Sequence, residues 1–265
     1  MESIVLTPSD LNERIYSIGT WLLVSGIINI ISPFFLASIA FRNSYLIILA
    51  LLIPMIAMAA FLFIAIRVLW KHKDIFRDPV FTNGVLIALI GSSIIIAWSA
   101  VLFLMLLINV VLHPELLWTE ISISLIALLP IGIGALITLL GFIFLGIFMW
   151  RFGDINNSGI IQIGSIIQAF LWGIGMVLTG VGLRILSENG RRALAYEKFL
   201  DTVKERIATS KPTYEIGVNL KIIANQFNIP TYLLITIANQ WIERGELKGK
   251  IIRYYFIPEE IQEQE

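Results

Sequence analysis

The sequence predicts an α-helical polytopic membrane protein with about five transmembrane helices and a small α+β domain at its C-terminal end. Three observations carry this expectation. Five stretches, 15–41, 43–66, 79–114, 121–150 and 155–183, contain no Asp, Glu, Lys or Arg. Each exceeds the roughly 20 residues that a helix needs to cross a hydrocarbon core of about 30 Å. The chain is 57% hydrophobic and 14% charged, a balance that a soluble fold of this length does not sustain. From Ser187 onward, charge returns at ordinary soluble density.

The expected organisation is a helical bundle over 1–186, a linker over 187–195, a folded domain over 196–258 and an acidic tail over 259–265. Thr7-Pro8-Ser9-Asp10 reads as a helix start, with Thr7 capping, Pro8 at the first helical position and Asp10 near the positive dipole end. The acidic residues Glu2, Asp10 and Glu13 argue against a secretory leader, whose first segment is basic. The crossings fall at about 17–41, 44–70, 82–112, 121–150 and 159–186. Phe41-Arg42-Asn43-Ser44 is short enough to demand a tight hairpin between the first two. Trp70 before Lys71-His72-Lys73, and Trp150 before Arg151, are aromatic–cation pairs of the kind that anchor helices at the interface. Pro33, Pro54 and Pro130 fall within spans and read as kinks.

Small residues indicate how the helices associate. Gly84, Ala88 and Ser92 repeat every four residues on the third span, as do Ser165, Ala169 and Gly173 on the fifth. Gly132, Gly134, Thr138 and Gly141 offer a similar surface on the fourth. Such faces let backbones approach closely. The intramembrane polar residues singled out are Asn29, Asn109, Gln162 and Gln168. With no ionisable group at that depth, proton relays and ion coupling lack their usual carriers, and the amides read first as interhelical hydrogen-bonding groups.

Beyond the last span, Tyr196–Thr209 places Phe199, Leu200, Val203 and Ile207 on one helical stripe. A turn at Ser210-Lys211-Pro212 leads to an extended piece, Tyr214–Asn219, then a helix over Leu220–Phe227. Asn228-Ile229-Pro230 turns the chain into a third helix, about Thr231–Arg244, which Gly245 ends. Glu246–Ile257 alternates as a small β-hairpin. Helix, strand, helix, turn, helix and β-wing is the order of a winged helix-turn-helix.

The stretch Leu220-Lys-Ile-Ile-Ala-Asn-Gln-Phe-Asn-Ile-Pro, followed by Ile242-Glu-Arg-Gly-Glu-Leu-Lys-Gly-Lys-Ile251, resembles the winged-helix half of PCI domains. These occur in scaffold subunits of the proteasome lid, the signalosome and the translation-initiation machinery. The resemblance covers about 60 of the 265 residues, and here membrane helices replace the helical repeats that precede the winged helix in that family. It implies a protein-interaction role and a cytoplasmic C-terminal domain. The membrane region matches no family.

Charge decides little else. The chain carries 19 basic and 19 acidic residues, and both halves are neutral, so neither nucleic acid nor anionic lipid is strongly attracted. Five crossings tie the basic residues at six on each side and leave orientation open. With no cysteine, thiol chemistry and thiolate metal sites are excluded. His72 with Asp74 and Asp78 reads as a solvated loop, and Asp154–Gly159 as a turn carrying the sequon Asn156-Asn157-Ser158. No catalytic, cofactor or metal constellation emerges, so the expectation is a non-enzyme that requires no cofactor. The isoleucine-rich, cysteine-free composition suggests a prokaryotic source.

The leading expectation is a membrane-anchored scaffold or adaptor, its partner surface formed by Tyr232, Thr236, Gln240, Lys248, Lys250 and Arg253. Two alternatives stand: a small passive channel or transporter lined by Asn29, Asn109, Gln162 and Gln168, and a membrane-bound transcription regulator. Expected partners are the bilayer and a protein at the winged helix, nucleic acid being disfavoured and a homo-oligomer left open.

Overall fold

The computed structural model describes residues 7–40, 47–76, 78–112, 129–195, 197–210 and 217–259. The helices are α1 (Pro8–Ala40), α2 (Ile47–Lys71), α3 (Lys73–Phe76), α4 (Pro79–Leu112), α5 (Leu129–Ile155), α6 (Gly159–Phe170), α7 (Trp172–Leu194) and α8 (Glu197–Thr209). Then follow β1 (Val218–Asn219), α9 (Leu220–Gln226), α10 (Thr231–Glu243), β2 (Gly249–Ile252) and β3 (Tyr255–Pro258). Among the described residues, three helices are long and apolar enough to cross a membrane: α1 over Pro8–Ser32, α4 over Pro79–Met105, and α5. Leu136, Leu140, Leu104 and Met105 are among the large apolar side chains left exposed on these helices, as expected of surfaces that meet lipid rather than water.

Backbones in the bundle pack through small residues. A Cβ added at Gly26 would stand 2.6 Å from the Gly173 carbonyl, and one at Gly180 would stand 2.6 Å from that of Gly19. α1 and α7 therefore run antiparallel with almost no side chain between them. Gly84 faces Phe144 and Leu145, Ala88 faces Gly141, and Gly91 faces Thr138 and Gly134. This joins α4 to α5 through Gly84 and Ala88 of the expected third-span face and Gly134, Thr138 and Gly141 of the fourth, together with Gly91, whereas a Cβ at Gly132 would meet nothing within 4 Å. The first apolar cluster, with Ile15, Phe81, Phe142, Met176 and Leu183 at its centre, spans α1, α2, α4, α5 and α7.

The sequence expectation of one crossing over 159–186 is corrected. Helicity breaks at Leu171 (φ −129°, ψ 71°), and α6 and α7 fold back on each other. Ile161 faces Gly182, Gly164 faces Thr179 and Gln168 faces Gly175, so the hairpin is antiparallel and returns to the end where it began. α6 has 12 residues and, at about 1.5 Å per residue, reaches only about 18 Å. The physical reason is side-chain size. Gly164, Gly175 and Gly182 give a hairpin room to close, which hydropathy averages cannot register. The stripe Ser165–Ala169–Gly173 consequently does not form one helix face: Ser165 lies against Gly146 of α5, whereas Gly173 lies past the break against α1. The side chains of Pro33, Pro54, Ala169 and Asn109, and residues 121–128 of the fourth expected span, lie outside the described set.

The C-terminal segment builds a second apolar cluster around Val203, Ile207, Leu220, Leu234, Ile237, Trp241 and Phe256. Its three-stranded antiparallel sheet has the order β1-β3-β2, with Val218 opposite Phe256 and Ile251 opposite Phe256 from the other side. Asn219 caps α9, its Oδ1 accepting from the Lys221 amide at 3.0 Å and the Ile222 amide at 3.4 Å, which satisfies two otherwise free donors. Asn228 takes a left-handed φ of 53° in the turn to α10, a conformation that asparagine tolerates better than most residues. The helices and hairpin thus lie within a few residues of the positions set by periodicity, while the start of the extended piece, 211–216, is outside the described residues.

Candidate functional site

The C-terminal segment is fastened to the end of the bundle by a buried polar network. Asn12, 2% exposed, donates from Nδ2 to the Ser187 carbonyl at 2.9 Å. The Ser187 hydroxyl donates back to the Asn12 carbonyl at 2.9 Å. Tyr232, in the first turn of α10, donates its hydroxyl to Asn12 Oδ1 at 2.8 Å. The Tyr232 backbone amide donates to Asn156 Oδ1 at 3.0 Å, and Asn156 Nδ2 donates to the Phe152 carbonyl at 2.9 Å. α1, α7, α10 and the turn that follows α5 therefore meet through two side-chain amides, Asn12 and Asn156, and two hydroxyls, Ser187 and Tyr232. Gly190 makes the junction possible, since a Cβ there would stand 2.5 Å from Asn12 Oδ1 and 3.0 Å from Leu233.

Aromatic rings continue the seam. Tyr232 stacks on Phe152 at 5.8 Å and 30°, and Phe152 contacts Phe76 edge-on at 5.3 Å. Phe76 in turn lies 4.6 Å from Phe81 and 4.9 Å from Phe148. The short helix α3 thus carries the α2–α4 connection into the same end of the bundle. Burial pushes the Tyr232 phenol above its ordinary range, so its hydroxyl remains a donor throughout physiological pH. Beside the network, Arg184 donates to the Tyr16 hydroxyl at 2.7 Å, and Arg191 lies 5.3 Å from the Tyr16 ring.

The six residues expected to face a partner separate into two groups. Tyr232 is turned inward and occupied by the bundle. Thr236 is half-buried and its hydroxyl returns to the Tyr232 carbonyl at 3.0 Å. Gln240 is half-buried, and Lys248, Lys250 and Arg253 are exposed on or beside the β2–β3 hairpin. Arg253 sits at the hairpin tip with φ 61°, where a side chain costs roughly 1–2 kcal/mol that glycine would not. Ile252 beside it is 51% exposed.

Of the four intramembrane amides, the three whose side chains are described, Asn29, Gln162 and Gln168, pack at separate helix contacts. Gln162 packs at Gly153 of α5, and Gln168 packs at Gly175 of α7. Asn29, 5% exposed, donates to the Ser25 carbonyl at 2.8 Å. The residues that sequence reasoning missed are Asn12, Ser187 and Asn156. Asn12 and Ser187 bond across 175 positions and leave no periodic signal. Asn156 reads as a loop sequon until its amide is seen bonded on both sides and 7% exposed. Among the described residues no group of His, Asp and Glu is arranged to hold a metal. Asp78 instead caps α4, its Oδ1 accepting from the Val80 amide at 2.7 Å.

Comparison with protein-family models, curated proteins and solved structures found no match.

Proposed function

We propose that the protein is a membrane-embedded scaffold that holds a winged-helix domain against the cytoplasmic face and presents its wing to a protein partner. In this reading α1, α2, α4 and α5 cross the bilayer, and the α6–α7 hairpin enters and leaves by the cytoplasmic side. Charge supports the orientation once the hairpin is counted as no crossing. Of the eight basic residues before Leu186, Arg14, Arg67, Lys71, Lys73, Arg77, Arg151 and Arg184 fall near the helix ends or connections on the side of the C-terminal segment. Only Arg42, between α1 and α2, falls opposite. That asymmetry is what the positive-inside tendency requires.

The observation that carries the partner reading is Arg253. A cationic side chain occupies a hairpin tip whose left-handed backbone favours glycine, flanked by exposed Ile252, with Lys250 and Lys248 exposed further along the same arm of the hairpin. Strain kept at an exposed tip is a pointer to contact. The DNA-reading alternative loses ground for a geometric reason. Winged-helix and helix-turn-helix readers insert the N-terminal part of the recognition helix into the groove, and here that part of α10 is covered by Phe152, Asn156 and Asn12.

The test is Arg253→Gly in the full chain. Relief of the left-handed strain is expected to stabilise the hairpin by about 1 kcal/mol while abolishing cross-linking to the cytosolic partner, as Gln240→Glu with Lys250→Glu also does. Unchanged cross-linking in both variants would overturn the proposal.

A further inference from the structure

Tyr16 of α1 gathers two cations of α7 around one ring. The Arg184 guanidinium carbon lies 4.8 Å from the ring centre, and its Nη2 donates to the Tyr16 hydroxyl at 2.7 Å. The Arg191 guanidinium carbon lies 5.3 Å from the same centre. Like charges held this close repel unless an anion sits with them. Among the described residues neither arginine has an acidic partner: the ion pairs are Lys204 with Asp201 and Glu246, Lys221 with Asp154, and Arg244 with Glu246. Glu188 stands between the two arginines on α7 and bridges to neither. The group is also rich in donors and poor in acceptors. Tyr16 accepts from Arg184, so its own hydroxyl proton has no acceptor among the described residues, and Arg191 makes no hydrogen bond to them. Tyr16 and Arg184 are half-buried and Arg191 is exposed, so the donors open to the surface.

Position selects the anion. Tyr16 lies in the part of α1 that is long and apolar enough to cross a membrane. Ile27 and Ile31, 40% and 47% exposed, follow it on the same side of the helix, within about 60° at 3.6 residues per turn. Ile27 lies about 16 Å along the axis, close to the depth of one leaflet, about 15 Å. The cations therefore stand at headgroup level with an apolar track beneath them, which is the layout of a phospholipid. Two arginines against Glu188 leave one net positive charge, the match for a phosphodiester. In phosphatidylcholine the lipid's own ammonium cancels that phosphate. We infer that Arg184, Arg191 and the Tyr16 hydroxyl bind the phosphate of an anionic phospholipid whose chain lies along Ile27 and Ile31. The inference needs α1 to cross the bilayer, but neither the partner nor the orientation proposed above.

The full chain in maltoside micelles is titrated with dioleoyl phosphatidylglycerol or dioleoyl phosphatidylcholine, and the first bound lipid is counted by native mass spectrometry. Phosphatidylglycerol should bind about tenfold more tightly, the low end for hydrogen bonds to a charged group. Arg191→Gln, a change at an exposed position, should bring the ratio of the two affinities near unity, and Arg191→Lys should keep part of the preference. Tyr16→Phe should lower it about threefold, as for one neutral hydrogen bond. Arg151→Gln, which removes an exposed cation of α5 instead, should leave it unchanged. Equal binding of the two lipids, or a preference that survives Arg191→Gln, would overturn the inference. So would an equal loss in Arg151→Gln, which would mean diffuse attraction to every basic residue. Displacement of phosphatidylglycerol by inorganic phosphate would overturn the lipid as occupant and make the site one for a soluble anion.

Discussion

Removal of one oxygen from Tyr232 tests whether the seam holds the C-terminal segment to the bundle. In Tyr232→Phe the ring stays on Phe152 and the backbone amide stays on Asn156 Oδ1, so packing is preserved. What is lost is the 2.8 Å bond to Asn12 Oδ1, leaving a buried acceptor unsatisfied. Such an orphan costs about 1–3 kcal/mol, more than the bond's own net worth, because water cannot replace the phenol at a residue 2% exposed. The docked state is therefore expected to lose about 5- to 150-fold of its population relative to the undocked one. Native-state hydrogen exchange reads this directly. The Tyr232 amide, which is held by Asn156 across the seam, should exchange faster by that factor, whereas amides within α8 and β3 should not change. If protection at Tyr232 is unaltered, or if exchange rises equally throughout the C-terminal segment, the seam is not what holds the two parts together.

Further outcomes follow from the same geometry. Burial, followed by repulsion from Arg14 and Lys71, lowers the His72 pKa from 6.5. The fold thus favours the neutral imidazole, so this contribution to stability is complete above about pH 6.5 and is lost as pH falls through the lower folded value. Thermal stability in detergent should drop between pH 7.5 and 5, and His72→Gln should flatten that drop; an equal drop in the variant would remove His72 as its source. Gly26→Val drives methyl groups at the Gly173 carbonyl and should cost about 1–3 kcal/mol, seen as lost monodisperse yield. Gly132→Ala, whose Cβ would meet nothing within 4 Å, should be neutral in the same assay.

Periodicity and turn chemistry made the C-terminal elements readable because each signal is local. Asn219 caps within three residues, Asn228 turns within one, and Phe256 alternates with its strand neighbours. Hydropathy likewise located α1, α4 and α5, since lipid-facing composition is a property of a window. The break at Leu171 was hidden because no charged residue and no proline marks it. What bends the chain there is the match of Gly175 to Gln168 and of Gly182 to Ile161, pairs that exist only once the hairpin has closed. The Asn12–Ser187–Tyr232 network was hidden for the same reason at longer range. The expected partner surface erred at Tyr232 because amphipathic reading places a residue on a helix face without saying whether that face meets solvent or another part of the chain.

The hairpin and the seam constrain each other through parity. An odd number of crossings separates the start of α1 from the end of α7 by the full bilayer, about 30 Å of hydrocarbon, and no side chain spans that. The bonds from Asn12 to Ser187 and from Tyr232 to Asn12 require both ends on one face, so they are compatible with four crossings and a returning hairpin but not with five. The chain has no cysteine, which makes single-cysteine accessibility clean. Ser9→Cys, Ser158→Cys and Glu259→Cys should all react with a membrane-impermeant maleimide in inside-out vesicles and stay silent in right-side-out ones, whereas Asn43→Cys should show the reverse. Labelling of Ser9→Cys and Glu259→Cys from opposite faces would restore the fifth crossing and dissolve the seam with it. Labelling of all three from the external face would leave the hairpin intact but reverse the orientation, removing the cytosolic partner while sparing the packing.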